Sequence, residues 1–501
     1  MNSELNVAAS LATFIVTSAI GLAMTPFLIH GLGLATYSLI PLAFAVLATV
    51  SFFAQTASNS FARLFVETRK SPEAANAVFS SAVLLVAVAA ALVILLALFA
   101  SPFFVSAFAA GHASSPEAAT IFVATAIGVA AGFVALPAQG INFSHNRIYL
   151  NALCQMIQPI ARAVVIVAGF LYLEPSIEIV AGAIVAGAIA SLAVLYLVLV
   201  RSDGAPNLRF ALVDRSIYKK LGTTAGGVLF IQIGTVLLFN MDVVLLGLMR
   251  SAEIAGLYAS INVLGATLRG LGLTLAGTFS PRLMTAGIES DRLGILLELR
   301  RAMALTLFVM AYPCGVAASY GADILGLWLG PQFAAESLTL GFLAAGALAT
   351  IAAIPAGALN LAANRVYLPG AWTVGSALGF MLIAIFVAPE AAHPVPAMAA
   401  CLAATQAILS LGLTIPYAVI GYRLAWAPVA AIVVRGFFWL VFAIAASLAA
   451  KLVIAPQGWF TLMASVALAG VLYGSAFPTL PREARDVVQS RMARIFASRR
   501  P

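Results

Sequence analysis

The chain has 501 residues, of which 63% are hydrophobic and only 9% charged, and its mean hydropathy is +1.06. Globular domains carry about 25% charged residues, so a soluble domain is excluded and the composition points to an all-α polytopic membrane protein. Basic residues outnumber acidic ones by 26 to 18, but they lie in short segments between apolar runs, which is a topology signal and not a nucleic-acid surface.

A helix crossing a bilayer needs about 20 predominantly apolar residues. The sequence predicts fourteen such helices, near residues 6–30, 37–60, 76–100, 118–141, 149–172, 177–200, 221–247, 254–279, 303–321, 335–359, 366–388, 396–420, 426–448 and 458–477. Strands of a membrane barrel would be runs of about 10 residues with alternating polarity, which these are not. The opening MNSELNVAAS has no basic stretch, so the first apolar run reads as a retained helix.

Polar residues inside the spans are the candidate functional groups, because an ionisable side chain at mid-bilayer costs about 2.5–3.5 kcal/mol on insertion scales. In chain order, the second span places Ser51, Gln55, Ser58 and Asn59 on one face and ends at Arg63. The fifth carries Arg162, with Gln158 and Gln155 four and seven residues before it. That stripe is either a cavity wall or a hydrogen-bonded knot beside Pro159. Toward the end of the seventh, Asp242 is the sole carboxylate more than a helical turn inside a predicted span, with Asn240 beside it. A proton or Na+ is the ligand such a group would take, the alternatives being a partner for Arg250 or Arg269 or interfacial exposure. The eighth has Arg269 near its middle among small residues and Asn262 seven residues earlier on the same face; it ends at Arg282. Arg435 lies in the thirteenth.

Cys154, Cys314 and Cys401 sit in apolar segments without CxxC spacing and read as small buried side chains. His30, His112, His145 and His393 lie near helix ends with no nucleophile or carboxylate at motif spacing, and no Walker A sequence occurs. The residues therefore suggest neither an enzyme nor a bound cofactor or metal. Energy would come from an H+ or Na+ gradient, or transport would be passive exchange.

With a cytoplasmic N-terminus, 21 of the 26 Lys and Arg fall on the cytoplasmic side and only Arg250 and Lys451 outside. This bias expects both termini in the cytoplasm. A repeat supports the same frame. ALPAQGINFSHNRIYL at 135–150 matches AIPAGALNLAANRVYL at 353–368 in eight of sixteen positions, including Asn142 with Asn360 and Asn146-Arg147 with Asn364-Arg365. FARLF at 61–65 and SPRLM at 280–284 repeat at nearly the same offset. Six helices per copy is an even number, so the copies point the same way, as parallel repeats of a transporter do.

Two six-helix repeats, two further helices and a basic tail resemble the multidrug, oligosaccharidyl-lipid and polysaccharide exporter superfamily, in its Wzx-like polysaccharide-transporter branch. The resemblance is carried by TPFLIHGLGLATYSLIPL, FNMDVVLLGLMRSAEIAGLYASINVL, ILGLWLGPQF and the two Asn-Arg corners. It implies an N-lobe over 1–205, a C-lobe over 206–422, added helices over 423–480 and a tail over 481–501, with a central cavity lined by helices 1, 2, 7 and 8. It also implies a flippase for undecaprenyl-diphosphate-linked oligosaccharide in the bacterial inner membrane, beside glycosyltransferases and a polysaccharide polymerase. Arg269, with Asn262 on its face, would then contact the diphosphate, the alternative being a structural arginine paired to a carboxylate or carbonyls in the lobe interface, and Arg162 with Gln158 would line the N-lobe side of the cavity. Gln55 and Asn59 would face the sugar, while Arg63 and Arg282 either anchor the inner mouth or recruit the headgroup. Two other readings compete. A drug antiporter of the same superfamily expects an acidic residue in the first helix, which is missing here. A membrane polymerase or ligase expects a long outer loop with basic residues, and the longest, 101–117, has no Lys or Arg.

Overall fold

The computed structural model describes residues 2–68, 71–108, 115–202, 206–289 and 291–497. It is all-α: no strand occurs among the described residues. Among the described residues, twelve helical stretches are long and apolar enough to cross a membrane. The first of these, Ala8–Ser51, has 44 residues, about 66 Å at 1.5 Å per residue, twice the ~30 Å of a hydrocarbon core. It therefore holds two crossings. With the shorter apolar helix Trp459–Gly474, the fourteen predicted crossings are accounted for.

The first two spans are joined by one residue. Helix α1 runs Asn2–Thr68, and only Gly33, at φ 77° and ψ 158°, departs from helical geometry. That region is essentially restricted to glycine. A six-residue connection was expected over 31–36; a single achiral residue makes it instead.

The repeat recurs element by element. Helices α2 (Pro72–Phe108), α3 (Ser115–Ser144), α4 (Ile148–Tyr172) and α5 (Ile177–Val200) are followed by α6 (Arg215–Met249) and α7 (Ala252–Gly277). A short α8 (Ser280–Glu289), not separated from the eighth span in the sequence, leads to α9 (Arg292–Ser319) and the short α10 (Gly321–Trp328). Then come α11 (Ser337–Ala362), α12 (Tyr367–Glu390), α13 (Pro394–Ala407) and α14 (Ile415–Gly421), the last two bridged by a π-helical segment Ile408–Thr414. Helices α3 and α11 end 218 residues apart, as do α4 and α12. The matched corners have the same backbone. Asn146 and Asn364 both adopt positive φ, 56° and 54°, and Arg147 N and Arg365 N donate to Asn142 O and Asn360 O at 2.8 and 2.9 Å. This is a Schellman stop, in which a left-handed residue closes the last turn, and asparagine is the non-glycine residue that tolerates it best.

The chain forms two compact units: Met1–Ser260 with Thr373–Ile385, and Ile261–Trp372 with Phe386–Pro501. With no hydrophobic force between helices in lipid, close approach at small residues does the packing. In the first unit Gly140 of α3 receives Phe61 and Phe65 of α1, and Gly187 of α5 lies on the backbone of α4 at Gln158. In the second unit α9 is central. The added helices α15 (Trp426–Val453) and α16 (Trp459–Gly474) seat on it through rings: Phe308 meets Trp439 edge-on and stacks on Tyr473. Tyr473 Oη donates to Phe308 O at 2.7 Å, and Tyr312 Oη to Val466 O at 2.5 Å. At the other end of α9, Tyr320 Oη reaches Ser447 O (2.9 Å) and Ser465 Oγ (2.6 Å), and Lys451 pairs with Asp323.

Candidate functional site

In the second unit, Arg269 is 9% exposed although it sits in the middle of the apolar helix α7. Its Nη2 donates to Asn262 Oδ1 at 3.3 Å. The seven-residue spacing read in the sequence thus becomes a contact along one helix face, with the amide aiming the guanidinium. A guanidinium presents up to five donors in a planar fork, suited to phosphate oxygens. Gly265, one turn beyond Asn262, keeps that face narrow: a Cβ there would meet Asn262 Oδ1 at 3.2 Å and Leu343 of α11 at 3.1 Å.

In the first unit, Asp242 of α6 is fully buried. Tyr258 Oη donates to its Oδ2 at 2.7 Å and Val243 N to its Oδ1 at 2.8 Å. Both carboxylate oxygens are therefore hydrogen-bonded, one across the α6–α7 hairpin, and interfacial exposure does not describe the residue. Asn240 is not brought to it. Two residues along a helix point to different faces, and Asn240 Nδ2 instead donates to Val236 O at 2.8 Å.

Arg162 and Gln158 are half-buried on α4, while Gln155 is exposed. The Arg162 guanidinium lies 6.0 Å from the centre of the Phe44 ring, a cation–π arrangement joining α4 to α1. Arg63 is exposed and paired with Glu67 at 2.9 Å. Arg282, on α8, and Arg435, on α15, are exposed. Ser51 and Ser58 are half-buried, and the side chains of Gln55 and Asn59 lie outside the described residues, as does His112.

A family described as polysaccharide biosynthesis protein matches residues 5–285, more than half of the chain. The chain belongs to this family. A curated relative, the "Uncharacterized membrane protein EpsK" of Bacillus subtilis (strain 168), is 28% identical over 346 residues, 66% of each chain and so just under two thirds of that relative. Among solved structures, the "Lipid II flippase MurJ, inward closed conformation" has a TM-score of 0.71 at 14% identity, covering 96% of this chain and 100% of that one. An inward-facing "multidrug resistance MATE family transporter of the MOP superfamily" has 0.67 at 11%, covering 83% and 98%. At these identities the solved neighbours show the fold that this chain shares with them.

For this member of the polysaccharide biosynthesis family, sequence reasoning missed two groups. Tyr258, the donor to Asp242, stands sixteen residues away across a hairpin, outside any helical spacing. The other is an asparagine clasp at the first corner. Asn6 Nδ2 donates to Asn146 Oδ1 at 3.0 Å, Tyr149 N donates to Asn6 Oδ1 at 2.9 Å, and Asn142 Nδ2 donates to Asn151 Oδ1 at 2.8 Å. The signal available was a polar Asn6, 7% exposed, at the head of an apolar helix.

Proposed function

We propose that this chain translocates an undecaprenyl-diphosphate-linked oligosaccharide from the cytoplasmic to the periplasmic leaflet of a bacterial inner membrane by alternating access. In this reading both termini are cytoplasmic, and glycosyltransferases and a polymerase act before and after it. The observation that carries the reading is Arg269, a guanidinium held by Asn262 on an apolar span at 9% exposure. A diphosphate leaving water needs countercharge and donors, and a fixed fork supplies both. The family's name and the solved neighbour titled a lipid II flippase support the same substrate class. Arg269→Ala is expected to abolish polysaccharide export while the protein still reaches the membrane. Arg269→Lys keeps the charge without the fork and should retain part of the activity. Wild-type export by Arg269→Ala would remove the cationic contact from the mechanism and make Arg162 with Gln158 the next site to test.

Coupling is assigned to Asp242. It is a fully buried carboxylate whose two acceptors are occupied by Tyr258 Oη and Val243 N; protonation would turn one oxygen into a donor and break that arrangement. The expected result is that Asp242→Asn loses the dependence of transport on an imposed proton or sodium gradient. Equal loss with and without a gradient would make the carboxylate structural.

A further inference from the structure

Within the first unit, an open groove of about 760 Å³ lies between α2, α3 and α5. Its walls are small and apolar, with Val123 and Ile127 on α3 and Val185 and Ile189 on α5. The two helices close on each other at Gly128, where an added Cβ would meet Ile184 at 3.1 Å. A Cβ added at Gly182, which also lines the groove, would meet nothing within 4 Å. Gly182 is therefore an open side of the groove and not a packing contact.

The polar side chains of the lining sit at one end: Ser101 near the close of α2, Thr120 near the opening of α3 and Glu178 in the first turn of α5. All of them offer acceptors. The Ser101 and Thr120 hydroxyls donate to Leu98 O at 3.1 Å and Pro116 O at 2.8 Å, which leaves their lone pairs, and an ionised carboxylate only accepts. None of α2, α3 and α5 carries a Lys or Arg. From Glu178 to Ile189 the groove follows α5, a span of 24 apolar-rich residues, for about 16 Å at 1.5 Å per residue. That is half of the ~30 Å hydrocarbon core, the depth of one leaflet. A partner helix crossing the bilayer would need a seam through both leaflets; a lipid chain needs only one.

We infer that this groove seats an acyl chain of a phospholipid whose head is a primary ammonium, phosphatidylethanolamine, in the leaflet on the side where α3 and α5 begin. The ammonium brings positive charge and N–H donors to an end that holds acceptors and the Glu178 carboxylate; a choline head has no N–H, and a phosphatidylglycerol head adds like charge. This is independent of what the protein transports. The test is native mass spectrometry of the full-length protein released from nanodiscs of phosphatidylethanolamine, phosphatidylcholine and phosphatidylglycerol in equal parts with the same chains, counting the lipid that stays bound. Phosphatidylethanolamine should be retained roughly tenfold above either of the others, the size of one hydrogen bond to a charged group. Glu178→Gln should level the three heads while lipid is still retained. Gly182→Leu, which fills the open side, should lower retention of all three at the melting midpoint of the parent protein; if it lowers the midpoint, the Glu178→Gln result decides alone. Retention by the parent protein that ignores the head, or a preference that Glu178→Gln leaves in place, overturns the proposal. So does a dimer that Gly182→Leu dissolves, because the groove would then hold a second copy of the chain.

Discussion

Asn146 and Asn364 are the same residue at the same place in the two repeats, but the structure gives them different work. Each holds a left-handed φ that costs an alanine about 1–2 kcal/mol. Only Asn146 also accepts a side-chain bond, from Asn6 Nδ2 at 3.0 Å, and a net hydrogen bond contributes about 0.5–1.5 kcal/mol. Asn146→Ala should therefore cost about 1.5–3.5 kcal/mol and Asn364→Ala about 1–2 kcal/mol. Glycine separates the two terms, since it restores the backbone and not the amide. Asn146→Gly should keep a deficit of about 1 kcal/mol, and Asn364→Gly should be close to neutral. The assay is heat unfolding of purified protein with a thiol-reactive fluorophore, for which the buried Cys154 and Cys314 are native reporters. Adding Asn146→Gly to Asn6→Ala should add little beyond Asn6→Ala alone, which already removes the shared bond together with the one from Tyr149 N. Equal midpoint shifts for Asn146→Ala and Asn364→Ala, or no recovery with Asn146→Gly, would refute the reasoning.

At Gly187, an added Cβ would lie 2.6 Å from the Gln158 backbone oxygen; Gly187→Ala should push α4 off α5 and cost about 1–3 kcal/mol, read as a lowered melting midpoint. Reporter fusions after Arg215 and Arg491 should register cytoplasm, and fusions near His112 and Glu390 periplasm. A periplasmic tail would contradict the charge-based orientation.

The spans were legible because a bilayer imposes length and apolarity on every crossing: 177–200 is read to the residue as Ile177–Val200, and 149–172 to within one as Ile148–Tyr172. The repeated corner was legible because asparagine before arginine at a helix end carries its own backbone preference. Arg269 with Asn262 was legible because two helical turns set one face. What the sequence hid was contact between segments far apart in it. Asn6 finds Asn146 across 140 residues, and Phe44 comes under Arg162 from another helix. Hydropathy also has no term for a π-helical stretch such as Ile408–Thr414, which keeps the apolar character of its neighbours while changing the turn.

Gly33 has a consequence for how this chain can vary. Because the reversal between its first two crossings uses a single residue with no slack on either side, there is no length of connector there in which insertions could accumulate. The second repeat turns at the corresponding place through Arg250 and Ser251, between two separately terminated helices. Duplicated halves that keep the same Asn-Arg corner have thus diverged in tolerance at the opposite end, so that a tag, a label-bearing loop or a natural insertion can be accommodated beside Ser251 but would unwind helix if placed at Gly33.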